Sequence, residues 1–227
     1  MSADARPVLM RYPAAMAGLV WVPLGSAGGF SGANLWRGDF AFALKAWPPS
    51  YPRERLETVH RWMRQARECG LAFVPAIVAT LDGPTWVEHA GRVWDVTAWA
   101  SGTANFHAEP SDAKLSAACV ALAELHRAWA HHGSIASTCP AVERRLDILN
   151  TRTRHVPATV IAAARAELAA WVNRAVPVQP CLCDVWHDHV LFTGNAVTGV
   201  IDYGAMKLDH PAVDLRRRRL EPGGGVR

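Results

Sequence analysis

The sequence contains little that would favour an extracellular or membrane-embedded protein. Its five cysteines are an odd number without regular spacing, which favours free thiols in a reducing compartment over a disulfide framework. The longest apolar stretch, residues 14–24, is too short and too interrupted to span a bilayer. The chain begins Met-Ser-Ala-Asp and lacks the basic start of a secretory signal. These absences predict a cytoplasmic protein with no membrane partner.

The excess of positive over negative charge is also small. The net charge is +4, and part of it comes from the arginine run at residues 216–219, so the sequence gives no strong case for a nucleic-acid partner. Hydrophobic residues make up 50% of the 227 residues and charged residues 19%. This composition is sufficient for one or two compact cores and excludes a mainly disordered chain.

Two aspartates near the C-terminal end are joined by a segment of two apolar runs and a turn. Asp184 lies in Cys-Leu-Cys-Asp-Val-Trp-His-Asp-His, and Asp202 lies in Gly-Val-Ile-Asp-Tyr-Gly. The apolar runs 190–192 and 197–201 are separated by turn chemistry at 193–196, which predicts a β-hairpin with both aspartates at one mouth. One carboxylate beside a substrate hydroxyl and another holding Mg²⁺ is what phosphoryl transfer from a nucleotide requires.

A glycine-rich segment lies upstream of these aspartates. Residues 25–32 read Gly-Ser-Ala-Gly-Gly-Phe-Ser-Gly, between the apolar run 19–22 and the strand-like residues 34–36. Glycines allow a backbone to approach phosphate oxygens closely, although an isolated segment of this kind is more often an ordinary loop. The candidate phosphate-binding residues are Gly25, Ser26, Gly28, Gly29 and Gly32.

A lysine lies inside the apolar strand predicted at residues 40–47. Lys45 either extends to the surface or meets an anion, and the glycine-rich segment one hairpin upstream favours a phosphate partner. The helix predicted at residues 53–69 carries Glu54 and Glu57 on its first turns. Either glutamate could pair with Lys45, and both also suit a helix N-terminus. The residues spaced as one buried helical face are Leu56, Val59, His60 and Met63.

The pattern changes from strands to helices near residues 91–99. Before this segment the sequence predicts strands at 73–80 and 85–90, with a turn between them. After it, Ser111 can cap a long helix that contains His126, which we expect to face the core. Further helices are predicted at 141–151 and 158–174.

The order of these parts resembles the aminoglycoside phosphotransferase and choline kinase family, over roughly residues 18–215. The resemblance implies an α+β, two-lobed protein-kinase-like fold. Residues 1–99 would form a small antiparallel-sheet N-lobe that binds the nucleotide. Residues 100–227 would form a mostly helical C-lobe with a catalytic-loop hairpin.

The resemblance also implies roles for single residues. The glycine-rich segment and Lys45 would hold the nucleotide phosphates, and Glu57 would contribute to the nucleotide site by holding Lys45 toward them. Backbone groups of the hinge around Asp95 and Val96 would meet adenine. Asp184 would be the catalytic residue. Asp202 would bind Mg²⁺, with His189 as a second metal ligand.

The match to the family's motifs has specific departures. The family's catalytic loop reads His-Gly-Asp-Leu-His-x-x-Asn, whereas this chain has Leu182 and Cys183 at the His-Gly pair and His189 at the asparagine. Imidazole can bind metals, but Mg²⁺ prefers hard oxygen ligands. Residues 209–215 match the family's Asp-Pro-Ala-x-Asp-Leu continuation more closely, and there we expect Asp214 to support the catalytic loop.

The sequence thus predicts an ATP- and Mg²⁺-dependent phosphotransferase that acts on a hydroxyl of a small aminoglycoside-, sugar- or choline-like molecule. It leaves open the acceptor, the choice between ATP and GTP, and the oligomeric state.

One alternative is a catalytically inactive kinase-like nucleotide-binding or regulatory protein, and another is a zinc site. The zinc ligands would be Cys181, Cys183, His187 and His189. A further hypothesis is that the chain is truncated or read out of frame after Leu215.

Overall fold

The computed structural model describes residues 5–26, 32–136, 138–151 and 154–215. The described residues form two compact units. One consists of Met1–Ala121 with His187–Gly204, and the other of Leu122–Trp186 with Ala205–Arg227. We call these the first and second unit. The division into lobes at residues 99 and 100 stays a prediction.

The secondary structure is a mixture of strands and helices. The strands are β1 (Trp21–Gly25), β2 (Asn34–Gly38), β3 (Phe42–Ala46), β4 (Trp86–His89), β5 (Arg92–Ala98), β6 (Ser134–Ala136), β7 (Val176–Cys181), β8 (Val190–Thr193), β9 (Ala196–Val200) and β10 (Lys207–Asp209). The helices are α1 (Ala5–Leu9), α2 (Ala14–Ala17), α3 (Arg53–Glu68), α4 (Asp112–Trp129), α5 (Pro140–Thr151), α6 (Ala158–Ala169) and α7 (Ala212–Leu215).

The first unit is built on a five-stranded sheet of order β1-β2-β3-β5-β4, and all of its strand pairs are antiparallel. Period-2 alternation along β3 buries Leu44 and Ala46 in the main core with Trp36 and Trp94. Lys45 therefore lies on the other face of the strand. The predicted antiparallel sheet is confirmed.

Helix α3 confirms the predicted amphipathic helix. Its buried face includes Leu56, Val59, His60 and Met63, the residues that recur at spacings of three and four.

The strand predicted at 73–80 is wrong: all of these residues are described, and they form one isolated bridge, Ile77 to Thr97. Pro75 lacks a backbone N–H, so pairing with β5 is limited to a few bonds such as Val78 N–H to Val96 C=O.

The β8–β9 hairpin confirms the prediction for the segment between the two aspartates. The strands are antiparallel, and the hairpin packs through Val190 and Phe192 against Ala118 of α4. Helix α4 begins as predicted, because the Ser111 hydroxyl accepts the N–H of Lys114 at 3.2 Å.

The second unit combines helices with a short sheet that the sequence pattern does not predict. Its strands β10, β7 and β6 are antiparallel. Val142 of α5 packs against Val176 and Val178 of β7. Helix α6 ends at Ala169, five residues before the predicted end at residue 174, and residues 171–173 form a turn. Among the described residues, no helix combines the length and apolar character needed to cross a membrane.

Candidate active site

The open end of the β8–β9 hairpin brings two predicted metal ligands together. The hairpin pairs Val190 with Val200, and just beyond this pair the N–H of Ile201 donates to the carbonyl of His189 at 2.9 Å. The next residue is Asp202, whose Oδ2 lies 3.7 Å from His189 Nε2. The turn chemistry of the sequence therefore positions a carboxylate beside an imidazole.

Lys45 lies at the same place. Its Nζ is 3.4 Å from Asp202 Oδ1, and the side chains are 24% and 47% exposed respectively. Asp202 has a φ of 60°, a left-handed conformation that is uncommon for residues other than glycine and is enriched at functional sites. A cation, a carboxylate and an imidazole are thus gathered on one partly exposed surface of the first unit.

The charge of His189 depends on its surroundings. Burial is the main cause that lowers the pKa of His189 below its ordinary value, and it outweighs the opposing effects of Asp202 and Asp188. The imidazole is therefore mostly neutral at pH 7. Neutral imidazole is the form that binds metal ions.

The predicted pairing of Lys45 with a helix glutamate is not present in the structure. Glu57 accepts a hydrogen bond from Trp86 Nε1 at 3.1 Å, and both Glu54 and Glu57 lie near Arg53, at 3.0 and 4.0 Å. These glutamate side chains are 70% and 49% exposed. The first turn of α3 directs them toward Arg53 and solvent, and the ammonium of Lys45 lies against Asp202 instead.

The two predicted hinge residues make internal contacts. Asp95 is 4% exposed and accepts a hydrogen bond from Trp47 Nε1 at 2.7 Å. The carbonyl of Val96 accepts the N–H of Val78 at 2.9 Å. The Asp95 carboxylate thus belongs to the interior of the unit, and contact of these two residues with a base stays a prediction.

The glycine-rich segment connects β1 and β2. Gly25 and Gly32 have φ values of 62° and 72°, so at both positions the backbone adopts a conformation that disfavours any side chain. Ser26 is exposed. Gly28 and Gly29 lie outside the described residues.

In the second unit, a buried carboxylate holds the loop that leads to Asp184. Asp214 is 1% exposed and accepts the N–H groups of Leu182 at 3.0 Å and Cys183 at 2.7 Å. Its Oδ2 is also 2.9 Å from His126 Nε2. The predicted supporting role of Asp214 is confirmed, and His126, predicted only as a core residue, shares in it. Asp184 follows this held segment and is half-buried.

Cys183, directly before Asp184, has a φ of 62°. The family motif has glycine at this position, a residue that adopts a left-handed conformation without a side-chain penalty. In this chain a cysteine adopts that conformation, and the hydrogen bonds from Leu182 and Cys183 to Asp214 hold the segment there.

Two of the predicted zinc ligands, Cys181 and Cys183, are free thiols of the second unit. Burial raises the pKa of Cys183 to about 11 and also raises that of Cys181 well above its usual range. Without a metal both thiols are therefore protonated at neutral pH. A bound zinc ion would itself lower their pKa values, and the zinc site stays a prediction. Cys181 Sγ lies 3.4 Å from the carbonyls of Gln179 and Asp209, where it acts as an internal donor.

One further structural ion pair could not be predicted from the motif. Asp209, the first residue of the Asp-His-Pro-Ala-Val-Asp-Leu segment, is 0% exposed and pairs with Arg144 of α5. It also accepts the N–H of His210 at 2.9 Å. The residue pair is far apart in the sequence, and no local pattern joins them.

Comparisons with known proteins identify sequences and structures that are similar to this chain. Residues 25–216 match the sequence profile described as "Phosphotransferase enzyme family". A comparison with curated protein sequences finds no match. Similar solved structures include an aminoglycoside phosphotransferase from Alicyclobacillus acidocaldarius, which is 18% identical with a TM-score of 0.58 over 93% of this chain and 70% of that one.

Two other solved structures are similar. A choline/ethanolamine kinase family protein from Mesorhizobium loti is 22% identical, with a TM-score of 0.59 over 93% of this chain and 67% of its own. The ternary complex of streptomycin, ATP and APH(2″)-IIa is 14% identical, with a TM-score of 0.53 over 86% and 69%. These likenesses confirm the α+β, protein-kinase-like fold. The profile match covers most of the chain, and the chain therefore belongs to the phosphotransferase enzyme family.

Proposed function

We propose that this protein transfers the γ-phosphate of ATP to a hydroxyl group of a small molecule of aminoglycoside-, sugar- or choline-like type. The observation that carries the proposal is the contact of Lys45 Nζ with Asp202 Oδ1 at 3.4 Å. In this arrangement the lysine supplies a cation for phosphate oxygens, and the aspartate supplies a carboxylate ligand for the accompanying metal.

The nucleotide would be held mainly through its phosphates. Gly25 and Gly32 lie at the two ends of the β1–β2 connection and have left-handed backbone conformations. Because neither has a side chain, backbone N–H groups there could approach phosphate oxygens. When a triphosphate binds, the ammonium of Lys45 would exchange its contact with Asp202 for one with a phosphate, so its charge stays compensated.

Asp202 and His189 together suit a divalent cation. The Asp202 side chain is 47% exposed and offers carboxylate oxygens, which Mg²⁺ prefers. The neutral imidazole of His189 lies 3.7 Å away and adds a nitrogen ligand that Mn²⁺ accepts more readily than Mg²⁺. The cation supplies neutralisation of the negative charge on the transferred phosphoryl group.

Asp184 would act on the acceptor. The acceptor oxygen attacks the γ-phosphorus, the bond from that phosphorus to the β-phosphate bridging oxygen breaks, and the hydroxyl proton passes to the Asp184 carboxylate. Asp214 would assist indirectly, because its bonds to the two preceding N–H groups hold the loop.

The direct test measures transfer of labelled phosphate from ATP, and separately from GTP, to a panel of aminoglycosides, sugars and choline. Asp184→Asn should abolish transfer and leave nucleotide binding largely intact. Asp188→Asn is the matched control, since Asp188 is an exposed aspartate in the same loop with a 2.8 Å contact to His187. Turnover at the wild-type level in Asp184→Asn would remove Asp184 from the mechanism.

A second candidate, a kinase-like protein that binds nucleotide without turnover, is favoured by Leu182, Cys183 and His189 at the family's motif positions. The two candidates differ in one result. A wild-type chain that binds nucleotide tightly, with either Mg²⁺ or Mn²⁺, and phosphorylates none of the acceptors would support the second.

A further inference from the structure

The indole ring of Trp47 lies directly under the ammonium of Lys45. Lys45 Nζ is 3.8 Å from the ring centroid, within the range in which a cation is attracted to the face of an aromatic ring. Lys45 and Trp47 are two positions apart at the end of β3 and so share one face of the strand. Trp47 is 6% exposed, and its ring is therefore a packed surface.

A chain of buried polar groups fixes this ring. Trp47 Nε1 donates to Asp95 Oδ1 at 2.7 Å, and Asp95 Oδ2 lies 3.1 Å from His60 Nε2. The other ring nitrogen of His60 is 2.8 Å from the hydroxyl of Thr85. Because Asp95, His60 and Thr85 are 4%, 1% and 8% exposed, breaking one of these bonds would leave a buried polar group unsatisfied.

Asp95 lies beside Lys45 in the sheet but pairs with Trp47 and His60 instead of the lysine. Lys45 lies opposite Asp95 in the β3–β5 pair, so the nearest carboxylate across the sheet belongs to Asp95. Its two oxygens are nevertheless engaged by Trp47 and His60, and the lysine extends to Asp202 instead. Helix α3 is thus linked to the lysine indirectly. His60 of α3 contacts Asp95, Asp95 accepts from Trp47, and the Trp47 ring lies against Lys45.

The same ring also touches the turn that follows Asp202. A Cβ added at Gly204 would lie 2.8 Å from the Trp47 ring, so the turn packs directly against the indole. Tyr51 stacks on Trp47 with centroids 4.2 Å apart and donates its hydroxyl to the carbonyl of Gly204 at 3.1 Å. Arg55 donates to the same carbonyl at 2.9 Å.

We propose that Trp47, fixed by Asp95 and His60, is the positioning residue for Lys45 and for the Asp202–Gly204 turn, in place of a helix glutamate paired with the lysine. The ring holds the ammonium near Asp202 by attraction and holds the turn by packing, so the cation and the metal ligand keep a defined separation. The consequence for nucleotide affinity rests on the proposed function.

A double-mutant cycle with Lys45 tests whether Trp47 acts through the lysine. Trp47→Leu should weaken Mg-ATP binding about two- to thirtyfold, the range that corresponds to a cation–π contact. The loss should be smaller in a Lys45→Ala background, where only the packing of the Asp202–Gly204 turn is removed. Trp47→Phe keeps an aromatic face and should restore part of the affinity. Equal losses in both backgrounds would overturn the proposal, because Trp47 would then act independently of Lys45.

A matched control removes a comparable tryptophan from the other side of the sheet. Trp36 is 7% exposed and stacks on Trp94 in the main core. Trp36→Leu should lower the melting temperature as Trp47→Leu does and leave Mg-ATP affinity near the wild-type value. If the two variants lose affinity alike, the effect of Trp47 is one of general stability, and the proposal is wrong.

Nuclear magnetic resonance of the nucleotide-free protein tests the geometry without reference to function. The ε-methylene protons of Lys45 should be shifted upfield by the ring current of Trp47, and the shift should disappear in Trp47→Leu and shrink in Asp95→Ala. An unshifted Lys45 in the wild type would overturn the proposal. A wild-type chain that shows these shifts and binds no nucleotide would instead remove the proposed function alone.

Discussion

Asp202 in the first unit and Asp214 in the second carry the same carboxylate in opposite surroundings. The Asp202 side chain is 47% exposed and lies against the cation of Lys45. Asp214 is 1% exposed and accepts two backbone N–H groups. The exposed carboxylate has room for an incoming cation, whereas the buried one is occupied by its own loop. The surroundings of Asp214 thus fit a structural role, and those of Asp202 fit the binding role that we propose for it.

The largest expected effect is at Asp214. Asp214→Ala would leave the N–H groups of Leu182 and Cys183 unpaired and would remove the partner of His126. We expect the free energy of unfolding to fall by about 3–5 kcal/mol, as for a broken buried ionic network. Urea denaturation measures this change, with Asp188→Ala as the exposed control. A loss below about 1 kcal/mol, the size of a surface contact, would contradict the structural role of Asp214.

Gly204→Ala should have the next largest effect, because it changes the turn that carries Asp202. Its Cβ would meet the Trp47 ring at 2.8 Å, and that ring is held by Asp95. Overpacking of this kind costs about 1–3 kcal/mol. Gly18→Ala is the control, since its Cβ would have only an ordinary contact at 3.8 Å. Equal melting temperatures for the two variants would show that the turn does not pack on Trp47.

Much of the first unit could be predicted from local pattern. Turn residues between two apolar runs predict the β8–β9 hairpin, and the spacing of Leu56, Val59, His60 and Met63 predicts the buried face of α3. Both signals depend only on residues close in the sequence. Lys45 was also recognisable as unusual, because it is a charged residue inside an apolar strand.

What could not be predicted depends on pairing between distant segments. Strand β7 contains Pro177 and Pro180 and yet lies between β6 and β10, a position that the missing N–H groups disfavour. The partners of Lys45 follow from strand register and from the hairpin end, which bring Asp95, Trp47 and Asp202 near it. The sequence alone therefore favoured the glutamates of α3, which are nearer in the chain.

Cys183→Gly should produce a smaller effect of opposite sign. Cys183 has a φ of 62°, which glycine adopts without a side-chain penalty, although glycine also loses more entropy on folding. We expect a gain of about 0.5–1 kcal/mol in the free energy of unfolding. Urea denaturation of the reduced protein measures it. A decrease would mean that the thiol's packing contributes more than the backbone strain costs.

The smallest expected effect concerns pH. Burial lowers the pKa of His189 in the folded protein below its unfolded value, so the unfolded state binds more protons as the pH falls below about 6.5. The contribution of His189 to stability is therefore constant above that pH and declines below it. His189→Asn should make the free energy of unfolding less dependent on pH between 7 and 5. An unchanged or steeper dependence in the variant would contradict a lowered pKa.

Melting temperatures of the wild type and of Lys45→Met, each with and without Mg-ATP, test whether Lys45 binds the nucleotide phosphates. A ligand at 100 times its Kd adds about 2.7 kcal/mol of stability, so the wild type should melt at a higher temperature with Mg-ATP and the variant should show little or none of that rise. Equal rises in both proteins would contradict a phosphate-binding role for Lys45. The absence of any rise in a cooperatively melting wild type would contradict the nucleotide site itself.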